Sequence, residues 1–382
     1  MLGIVLTLAL AATPTTALPK DVFARDRAIG ATPGLPRLTT DLLLGRAGAE
    51  RRLEARLAKP ADNPGDAQLE GYQQLCGFYF RKQQFAEGLR TCIAAETIKQ
   101  GSTGNMIDLH RAYAAAGPVS WSSNSVRIAL TNGQRTTARR GATLVDTLID
   151  TGTEIGIVSQ GAATALQARP LGNPLQVGTT TTPIDGKLVQ IDRVEVGNAE
   201  LRRLTALVIP DEQAAMMGAQ LVIPLPALIG LGRLAYLDHG KALALGADAP
   251  ALGSNRAPLY WDESGVGFAV RLAGGVRGAH FDSGAETTWF FPAAAPILSA
   301  AERATRRSYQ RKIAGLGGAR TEQASVYRNV TLTVGTSRWH FPQIEMAEKD
   351  ENGESARIGI QLFDRFRTVV LDFRRMQMSA GD

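Results

Sequence analysis

The sequence predicts a multidomain α and β protein, with a small helical N-terminal domain followed by two tandem all-β lobes related by a pseudo-twofold axis. Three observations support this prediction. Apolar residues recur at helical spacing as far as residue 117, short Val- and Thr-rich runs follow from Ser120, and this second part contains an internal repeat. At roughly 150 residues per domain, a chain of 382 residues has room for such units.

Composition and charge exclude several classes of protein. The chain is 44% hydrophobic and 20% charged, which is ordinary for a soluble protein and excludes a disordered, collagen-like or coiled-coil chain. The formal net charge is +6, and no stretch combines clustered basic and aromatic residues as RNA-binding segments do. We therefore expect no nucleic-acid partner. After the N-terminus we also expect no transmembrane segment, because no apolar stretch is long enough.

Residues 1–17 are typical of a secretory signal peptide. They contain no charged residue, and the apolar stretch from Leu2 to Ala12 is too short to span a bilayer. Small residues predict cleavage after Ala17, with a site near Ala11 or Ala12 as the alternative. The basic residue that usually begins such signals is missing, so a buried N-terminal helix or strand remains a second interpretation. Export of the mature protein follows from the first.

The two cysteines lie within one predicted helical hairpin. Apolar residues recur at helical spacing on both sides of the polar residues 81–84, which predicts two antiparallel helices, one with Cys76 and the other with Cys92. An exported chain permits one disulfide between them, and two small buried thiols are the alternative.

This hairpin resembles one tetratricopeptide repeat, with Cys76 at a position where glycine is usual. The residues that match the packing positions of such a repeat are Leu75, Tyr79, Phe85, Ala86 and Leu89. A single repeat cannot bury its own apolar face. We therefore expect residues 36–117 to form a domain of about four helices, including helices at residues 42–57 and 106–116. This domain either caps the following lobes or offers a groove to a protein partner.

The internal repeat is centred on two Asp-[Ser/Thr]-Gly triplets. The first copy contains Asp150, Thr151 and Gly152, and the second contains Asp282, Ser283 and Gly284. No other triplet of this kind occurs in the chain. Each follows one or two apolar residues, so each aspartate is expected at the end of a buried strand, where the glycine permits a tight turn.

Three further landmarks recur in the same order in both copies. Val196-Gly197 matches Val334-Gly335, Ile229-Gly230 matches Ile358-Gly359, and Leu237-Asp238 matches Leu371-Asp372. These landmarks predict a first lobe over residues 120–247 and a second lobe over residues 257–382. The last two landmarks lie closer together in the first copy, which suggests a shortened element there.

Two copies of one lobe pack about a twofold axis so that residues near the axis face their equivalents. Asp150 would then meet Asp282. Two carboxyl groups at such short range cannot both ionise cheaply, so one holds a proton. One site thereby contains both a general base and a general acid.

The paired triplets and the hydrophobic-Gly landmarks after them resemble those of aspartic peptidases of the retropepsin-like (acid protease) type. The resemblance covers about residues 120–382. It implies that Asp150 and Asp282 activate a water that attacks the peptide bond, without a covalent intermediate. Aspartic proteases are an established example of two carboxyl groups that share one proton. Fused lobes imply a working monomer with a polypeptide substrate and no cofactor. Lobes of this type preceded by a signal peptide resemble those of bacterial envelope proteins, which implies that the protein is located in the periplasm.

The resemblance also implies supporting roles around the two aspartates. Thr151 and Ser283 would bond across the lobe junction, and Gly152 and Gly284 would leave room for substrate. Flap hairpins over the site would have their tips near residues 179–183 and 315–318. The positions after the triplets, which would bind substrate, are Thr153, Glu154, Ala285 and Glu286.

Some residues depart from the family pattern. Glu154 and Glu286 replace smaller side chains, and they either bind substrate backbone or pair with Arg233 or another base. His280, two residues before Asp282, is unusual there and is expected to be a hydrogen-bonded core histidine. A basic cluster on a helix predicted after the second triplet is expected to be a solvated face; it contains Arg303, Arg306, Arg307, Arg311 and Lys312.

Other chemistries lack their residues. The chain has four His and two Cys, without a His-Glu-x-x-His or Gly-x-Ser-x-Gly motif, so we expect no metal site and neither a serine nor a cysteine nucleophile. The sequence therefore favours an exported aspartic endopeptidase. A binding protein that keeps the fold, and a latent enzyme whose helical domain covers the cleft, are the alternatives.

Overall fold

The structure is a computed structural model that describes residues 19–59, 65–177, 184–262, 265–315, 318–348 and 354–381. The predicted signal peptide therefore lies outside the described residues. The described part of the chain divides into a helical region and a largely β region. No helix among the described residues is long and apolar enough to cross a membrane.

Six helices form the N-terminal region. They are α1 (Val22–Ile29), α2 (Leu35–Leu43), α3 (Ala49–Leu57), α4 (Asp66–Arg81), α5 (Phe85–Ile98) and α6 (Met106–Ala116). The prediction of a helix at residues 106–116 is confirmed. The prediction of one helix over residues 42–57 is wrong, because Gly45 and Gly48 adopt positive φ angles of 60° and 66° that end α2 and begin α3.

The helical hairpin is cross-linked. A disulfide joins Cys76 of α4 to Cys92 of α5, and both are fully buried. α1 begins before residue 36 and packs on the second part of the β region, where the Asp21 carboxylate accepts a hydrogen bond from the Gly278 amide at 2.6 Å. The helical region thus contacts the β region at both of its ends.

The β region contains 21 strands, five short α-helices and one 3₁₀ helix among the described residues. The strands are β1 (Ser120–Trp121), β2 (Ser125–Ala129), β3 (Arg135–Arg140), β4 (Thr143–Asp150), β5 (Gly156–Ser159), β6 (Arg169–Val177), β7 (Ile184–Val196), β8 (Ala199–Ile209), β9 (Leu221–Pro224), β10 (Arg233–Leu237), β11 (Ala242–Gly246), β12 (Arg256–Asp262), β13 (Gly265–Leu272), β14 (Gly275–Phe281), β15 (Trp289–Phe290), β16 (Arg307–Gly315), β17 (Gly318–Val334), β18 (Ser337–Ala347), β19 (Ala356–Ile358), β20 (Thr368–Asp372) and β21 (Gln377–Gly381). The helices are α7 (Gln160–Ala165), α8 (Asp211–Met217), α9 (Leu225–Ile229), the 3₁₀ helix Pro292–Ile297, α10 (Ala300–Ala304) and α11 (Leu362–Arg365).

The strands form two sheets with barrel-like closure. The first has eight strands in the order β1-β8-β5-β9-β4-β3-β7-β6, and an added β7–β8 pairing curls it on itself. The second has thirteen strands in the order β16-β17-β18-β15-β19-β14-β13-β12-β21-β20-β10-β11-β2, with an added β13–β17 pairing.

The strand pairings of β3 to β9 recur in β13 to β19. In both sets the first strand pairs antiparallel with the second and the fifth, the second pairs parallel with the seventh, and the third pairs parallel with the sixth and antiparallel with the seventh. The hairpins β6–β7, β7–β8, β16–β17 and β17–β18 also correspond. Between the two sets, β10 pairs with β20 in the middle of six antiparallel strands.

The Val-Gly landmarks occupy equivalent turns. Gly197 and Gly335 have φ angles of 62° and 60°, and each is the first residue after a strand that ends at a valine. Such angles are strained for residues with a Cβ, which explains the glycine in both turns.

The match of Ile229-Gly230 with Ile358-Gly359 is wrong. Ile358 pairs with Phe281, the residue directly before Asp282, and the residue that pairs with Ile149, directly before Asp150, is Ile223. Pro224 therefore stands where the second copy has Gly359. The separation from aspartate to this position is 224 − 150 = 74 residues in one copy and 359 − 282 = 77 in the other. The separation from this position to the Leu-Asp landmark is 238 − 224 = 14 residues in the first copy and 372 − 359 = 13 in the second, so the shortened element expected in the first copy disappears.

The prediction of a helix for the whole basic cluster is also wrong. α10 ends at Ala304, and residues 307–315 form β16, which pairs with β17 over its full length. Arg311 makes a half-buried ion pair with Glu322 on β17 at 2.5 Å. A strand places these side chains alternately on two faces, so the cluster is not one solvated helical face.

Candidate active site

The two triplets form matching loops at the ends of β4 and β14. Each aspartate accepts a hydrogen bond from the glycine amide two residues later, Asp150 Oδ1 at 2.8 Å and Asp282 Oδ1 at 2.9 Å. Asp282 Oδ1 also accepts one from the Ala285 amide at 3.1 Å. The turn thereby fixes one oxygen of each carboxylate and leaves the other oxygen to the site.

Thr151 and Ser283 bond the two loops to one another. The Thr151 amide donates to Ser283 Oγ at 3.0 Å, and the Ser283 amide donates to Thr151 Oγ1 at 2.9 Å. The hydroxyls in turn donate to the carbonyls of Phe281 and Ile149, each at 3.0 Å. All four bonds are buried, so the relative position of the two aspartates is held on both sides.

Gly152 and Gly284 let the two carboxyl groups approach. A Cβ on Gly152 would overlap the carboxyl group of Asp282, and a Cβ on Gly284 would overlap that of Asp150. Neither glycine has a positive φ angle, so close approach, not backbone strain, is what requires glycine here.

Both aspartates are fully buried, and the charge of Asp282 acts on Asp150. Burial raises the pKa of Asp150 well above its usual range, and the negative charge of Asp282 raises it further; the Gly152 amide and the Arg357 guanidinium act in the opposite direction. The pair is thus poised to hold a proton on one carboxyl group.

Glu154 is paired with a base, but not with Arg233. It lies in a buried ion pair with Arg81 at the end of α4, formed through Arg81 Nε. Burial raises the pKa of Tyr113 of α6, and the charge of the nearby Glu154 raises it further. Glu286, at the corresponding position of the second loop, is half-buried.

Thr153 and Ala285 are buried and support the loops. The Leu225 amide donates to the Thr153 carbonyl at 2.9 Å, and the Ile360 amide donates to the Ala285 carbonyl at 2.9 Å. These backbone carbonyls tie each triplet loop to the segment that follows β9 or β19.

An apolar surface beside Asp150 is covered by the helices. Leu148, two residues before Asp150 on β4, pairs with Val222, which pairs with Ile157. Because neighbours across a sheet share a face, these three residues lie on the same face as Asp150; we call them the Asp150 face. They belong to one buried cluster with side chains of α4, α5 and α6, namely Cys76, Phe80, Phe85, Cys92, Met106, Leu109 and Tyr113.

The equivalent surface beside Asp282 has different chemistry. The same pairings place His280, Arg357 and Trp289 at the positions of Leu148, Val222 and Ile157; we call these the Asp282 face. His280 and Arg357 are fully buried. The Arg357 guanidinium lies 5.4 Å from the Trp289 ring centroid, and Arg357 Nε lies 4.0 Å from Asp282 Oδ2.

Sequence reasoning missed Arg81 and Arg357. Arg81 ends α4, the first helix of the hairpin, and Arg357 precedes the Ile358-Gly359 landmark, so neither is near a triplet in sequence. The Ile358-Gly359 landmark was the signal that could have identified Arg357, since the residue directly before Ile358 lies on the strand that pairs with β14.

One group of residues has the donor types of a metal site. Cys76, Cys92 and His110 lie together in the helical region. The two sulfurs are bonded to each other, and His110 Nε2 lies 3.1 Å from the Cys76 carbonyl, while burial lowers the pKa of His110 to about 4. In this oxidised form the group packs the helices and offers no thiolate.

The predicted flap tips are placed only in part. Residues 179–183 lie outside the described residues, as do residues 316 and 317. β16 and β17 pair up to Gly315 and Gly318, so that hairpin exists as far as the structure describes it.

Residues 136–234 match the model of the family described as gag-polyprotein putative aspartyl protease. The match covers about a quarter of the chain and includes Asp150 and the strands β4 to β9. No curated protein matches the sequence. A helical region followed by a largely β region with barrel-like sheets is consistent with an aspartic protease fold. Together with the family match, it supports a peptidase in general terms.

Proposed function

We propose that the protein is an exported aspartic endopeptidase whose two lobes, residues 120–247 and 257–382, each contribute one catalytic aspartate. The observation that carries this proposal is the facing pair of Asp150 and Asp282, joined by the reciprocal bonds of Thr151 and Ser283. A catalytic pair works only if its geometry is held by surrounding groups. The repeated pairings of β3–β9 and β13–β19 support the interpretation as two lobes.

The reaction follows from the shared proton. One carboxylate takes a proton from a water, whose oxygen forms a bond to the carbonyl carbon of the peptide, while the other carboxyl group protonates the carbonyl oxygen. Collapse of the resulting diol breaks the C–N bond as the amide nitrogen receives a proton. Polypeptide is the substrate, a monomer suffices, and no cofactor takes part. The bacterial periplasm is the compartment that we propose.

The test is cleavage of denatured casein by the mature chain between pH 3 and 8. Asp150→Asn and Asp282→Asn should each abolish cleavage while retaining the circular dichroism spectrum of the wild type. Cleavage that is equal in the wild type and both variants would contradict the proposal, because the observed activity would then require neither aspartate.

A second function, a latent peptidase, is favoured by the covered Asp150 face. Helices α4, α5 and α6 bury Leu148, Ile157 and Val222 beside the aspartate, and the buried Arg81–Glu154 ion pair fixes the end of α4 to the first triplet loop. A substrate side chain next to Asp150 would need the space that these helices fill. In this form the helical region must move before a polypeptide can bind.

Thiol labelling tests this cover without using activity. Ile155 is fully buried in the same cluster as the Asp150 face and the helices that cover it. The only two cysteines of the chain form the disulfide, so Ile155→Cys introduces a single thiol on the covered surface. We expect slow maleimide labelling in Ile155→Cys and fast labelling after Arg81→Ala is added. Adding Arg81→Met and Glu154→Leu instead keeps an apolar contact and should leave labelling slow. Fast labelling of Ile155→Cys alone would show an open face and contradict latency.

A further inference from the structure

The two aspartates have unlike neighbours although their loops match. The position of Val222 beside Asp150 is taken by Arg357 beside Asp282. Arg357 is fully buried, and its Nε lies 4.0 Å from Asp282 Oδ2. An opposite charge at this range stabilises a carboxylate far more when both groups are out of water.

The charged and titratable groups around Asp282 come from four strands and from the segment before β19. Asp150 faces it from β4, Arg357 from β19 and Tyr236 from β10, where the charges of both aspartates act on the tyrosine. His280 lies two residues before Asp282 on β14. Glu354 lies beyond Arg357, with its Oε2 3.5 Å from Arg357 Nη2. Arg357 is thus the cation placed between Asp282 and a second buried acid, and the described part of the first lobe has no cation at the equivalent position.

We propose that Arg357 is a positioning residue that keeps the single negative charge of the aspartate pair on Asp282, so that Asp282 acts as the base and Asp150 as the acid. This rests on the proposed peptidase function. The raised pKa of Asp150, caused first by burial and then by the Asp282 charge, is in keeping with this assignment.

The proton transfers balance with these roles. Asp282 takes a proton from water, the water oxygen bonds to the carbonyl carbon, and the Asp150 proton passes to the carbonyl oxygen. When the C–N bond breaks, Asp282 gives its proton to the amide nitrogen and Asp150 takes one from a hydroxyl of the diol. The free enzyme then again has its charge beside Arg357.

The first test compares two variants that both remove one carboxylate and needs no activity. Asp150→Asn replaces a neutral acid with a neutral amide and keeps the Asp282–Arg357 contact. Asp282→Asn removes the negative charge that lies 4.0 Å from Arg357 Nε. At pH 7 we expect Asp282→Asn to lower the melting temperature roughly 5 °C further than Asp150→Asn. Equal losses, or a larger loss in Asp150→Asn, would overturn the proposal.

The second test follows casein cleavage against pH. Arg357→Met should move the acid side of the profile upward by about one pH unit or more, because the carboxylate forms less readily without its cation. Arg357→Lys should restore the wild-type position. Val222→Met, the matched change beside Asp150, should leave the profile in place. A profile of Arg357→Met that overlays the wild type contradicts the proposal. If the wild type does not cleave casein, the same profiles are measured in the Arg81→Ala background, where the cover of the Asp150 face is weakened. Absence of cleavage there as well counts against the peptidase function, and the melting temperatures still locate the charge.

Discussion

The Asp150 face and the Asp282 face have the same backbone arrangement but differ in every side chain that flanks the aspartate. Leu148, Ile157 and Val222 make the first an apolar surface that packs under helices, whereas His280, Trp289 and Arg357 make the second polar and charged. The two triplet loops remain alike, including the reciprocal hydrogen bonds between Thr151 and Ser283. A repeated fold thus holds two carboxyl groups in a symmetric frame while their surroundings give each a different environment.

The largest effect should come from the ion pair that closes the Asp150 face. Arg81→Ala removes the guanidinium that forms a buried ion pair with the Glu154 carboxylate, and we expect a loss of about 3–5 kcal/mol in the free energy of unfolding. Arg111→Ala removes a similar pair with Asp108 that is exposed to solvent, and it should cost about 1 kcal/mol or less. Urea unfolding of both variants measures this. Equal small losses would show that the Arg81–Glu154 pair does not hold the helices in place.

The disulfide between the helices that cover the same face should have the next largest effect. It closes a loop with a sequence separation of 16 residues, for which the chain-entropy model gives about 3 kcal/mol. The double variant Cys76→Ser/Cys92→Ser should therefore unfold at lower urea concentration. The Ile155→Cys thiol in that background should also label faster, since the bond joins the helices that cover it. Unchanged labelling would separate the disulfide from the cover.

The shared loops offer a test of symmetry. Gly152→Ala and Gly284→Ala each place a methyl group against the opposite carboxyl group, and overpacking of this kind costs about 1–3 kcal/mol. Because the contacts correspond, both variants should lose similar stability and all cleavage. Gly230→Ala is the control, because a Cβ there would have no neighbour closer than 3.8 Å. A variant of either triplet glycine that keeps full activity would contradict the facing arrangement.

The stability of the protein should also depend on pH through Asp150. Asp150 holds its proton to higher pH in the folded state than in the unfolded state, so the folded wild type loses stability as pH rises above the usual aspartate pKa. Asp150→Asn removes this loss. Its free energy of unfolding relative to wild type should rise with pH from about pH 4, by up to about 1.4 kcal/mol per pH unit. A flat difference between pH 4 and 7 would show that the pKa of Asp150 is not raised.

Local patterns in the sequence were sufficient for the features that depend on neighbouring residues. The triplets, the helix at residues 106–116 and the Val-Gly turns at Gly197 and Gly335 follow from spacing and from the special conformations of glycine. The split between α2 and α3 was missed because the apolar spacing continues through Gly45 and Gly48, and the glycine conformations end the helix there.

Features that depend on contacts between distant segments were not predictable. Arg81 and Glu154 are 73 residues apart, and nothing in either local pattern points to the other. The register of β9 was also misplaced, since Ile229-Gly230 copies the look of Ile358-Gly359 while Ile223 and Pro224 occupy its place beside Asp150. Only the pairing of β4 with β9 distinguishes the two.

Casein cleavage in the Arg81→Ala background, where the cover of the Asp150 face is weakened, tests the shared site most directly. We predict that Arg81→Ala cleaves faster than the wild type, and that adding either Asp150→Asn or Asp282→Asn abolishes this cleavage in a folded protein. Cleavage that survives either asparagine substitution would contradict a single site built from both aspartates.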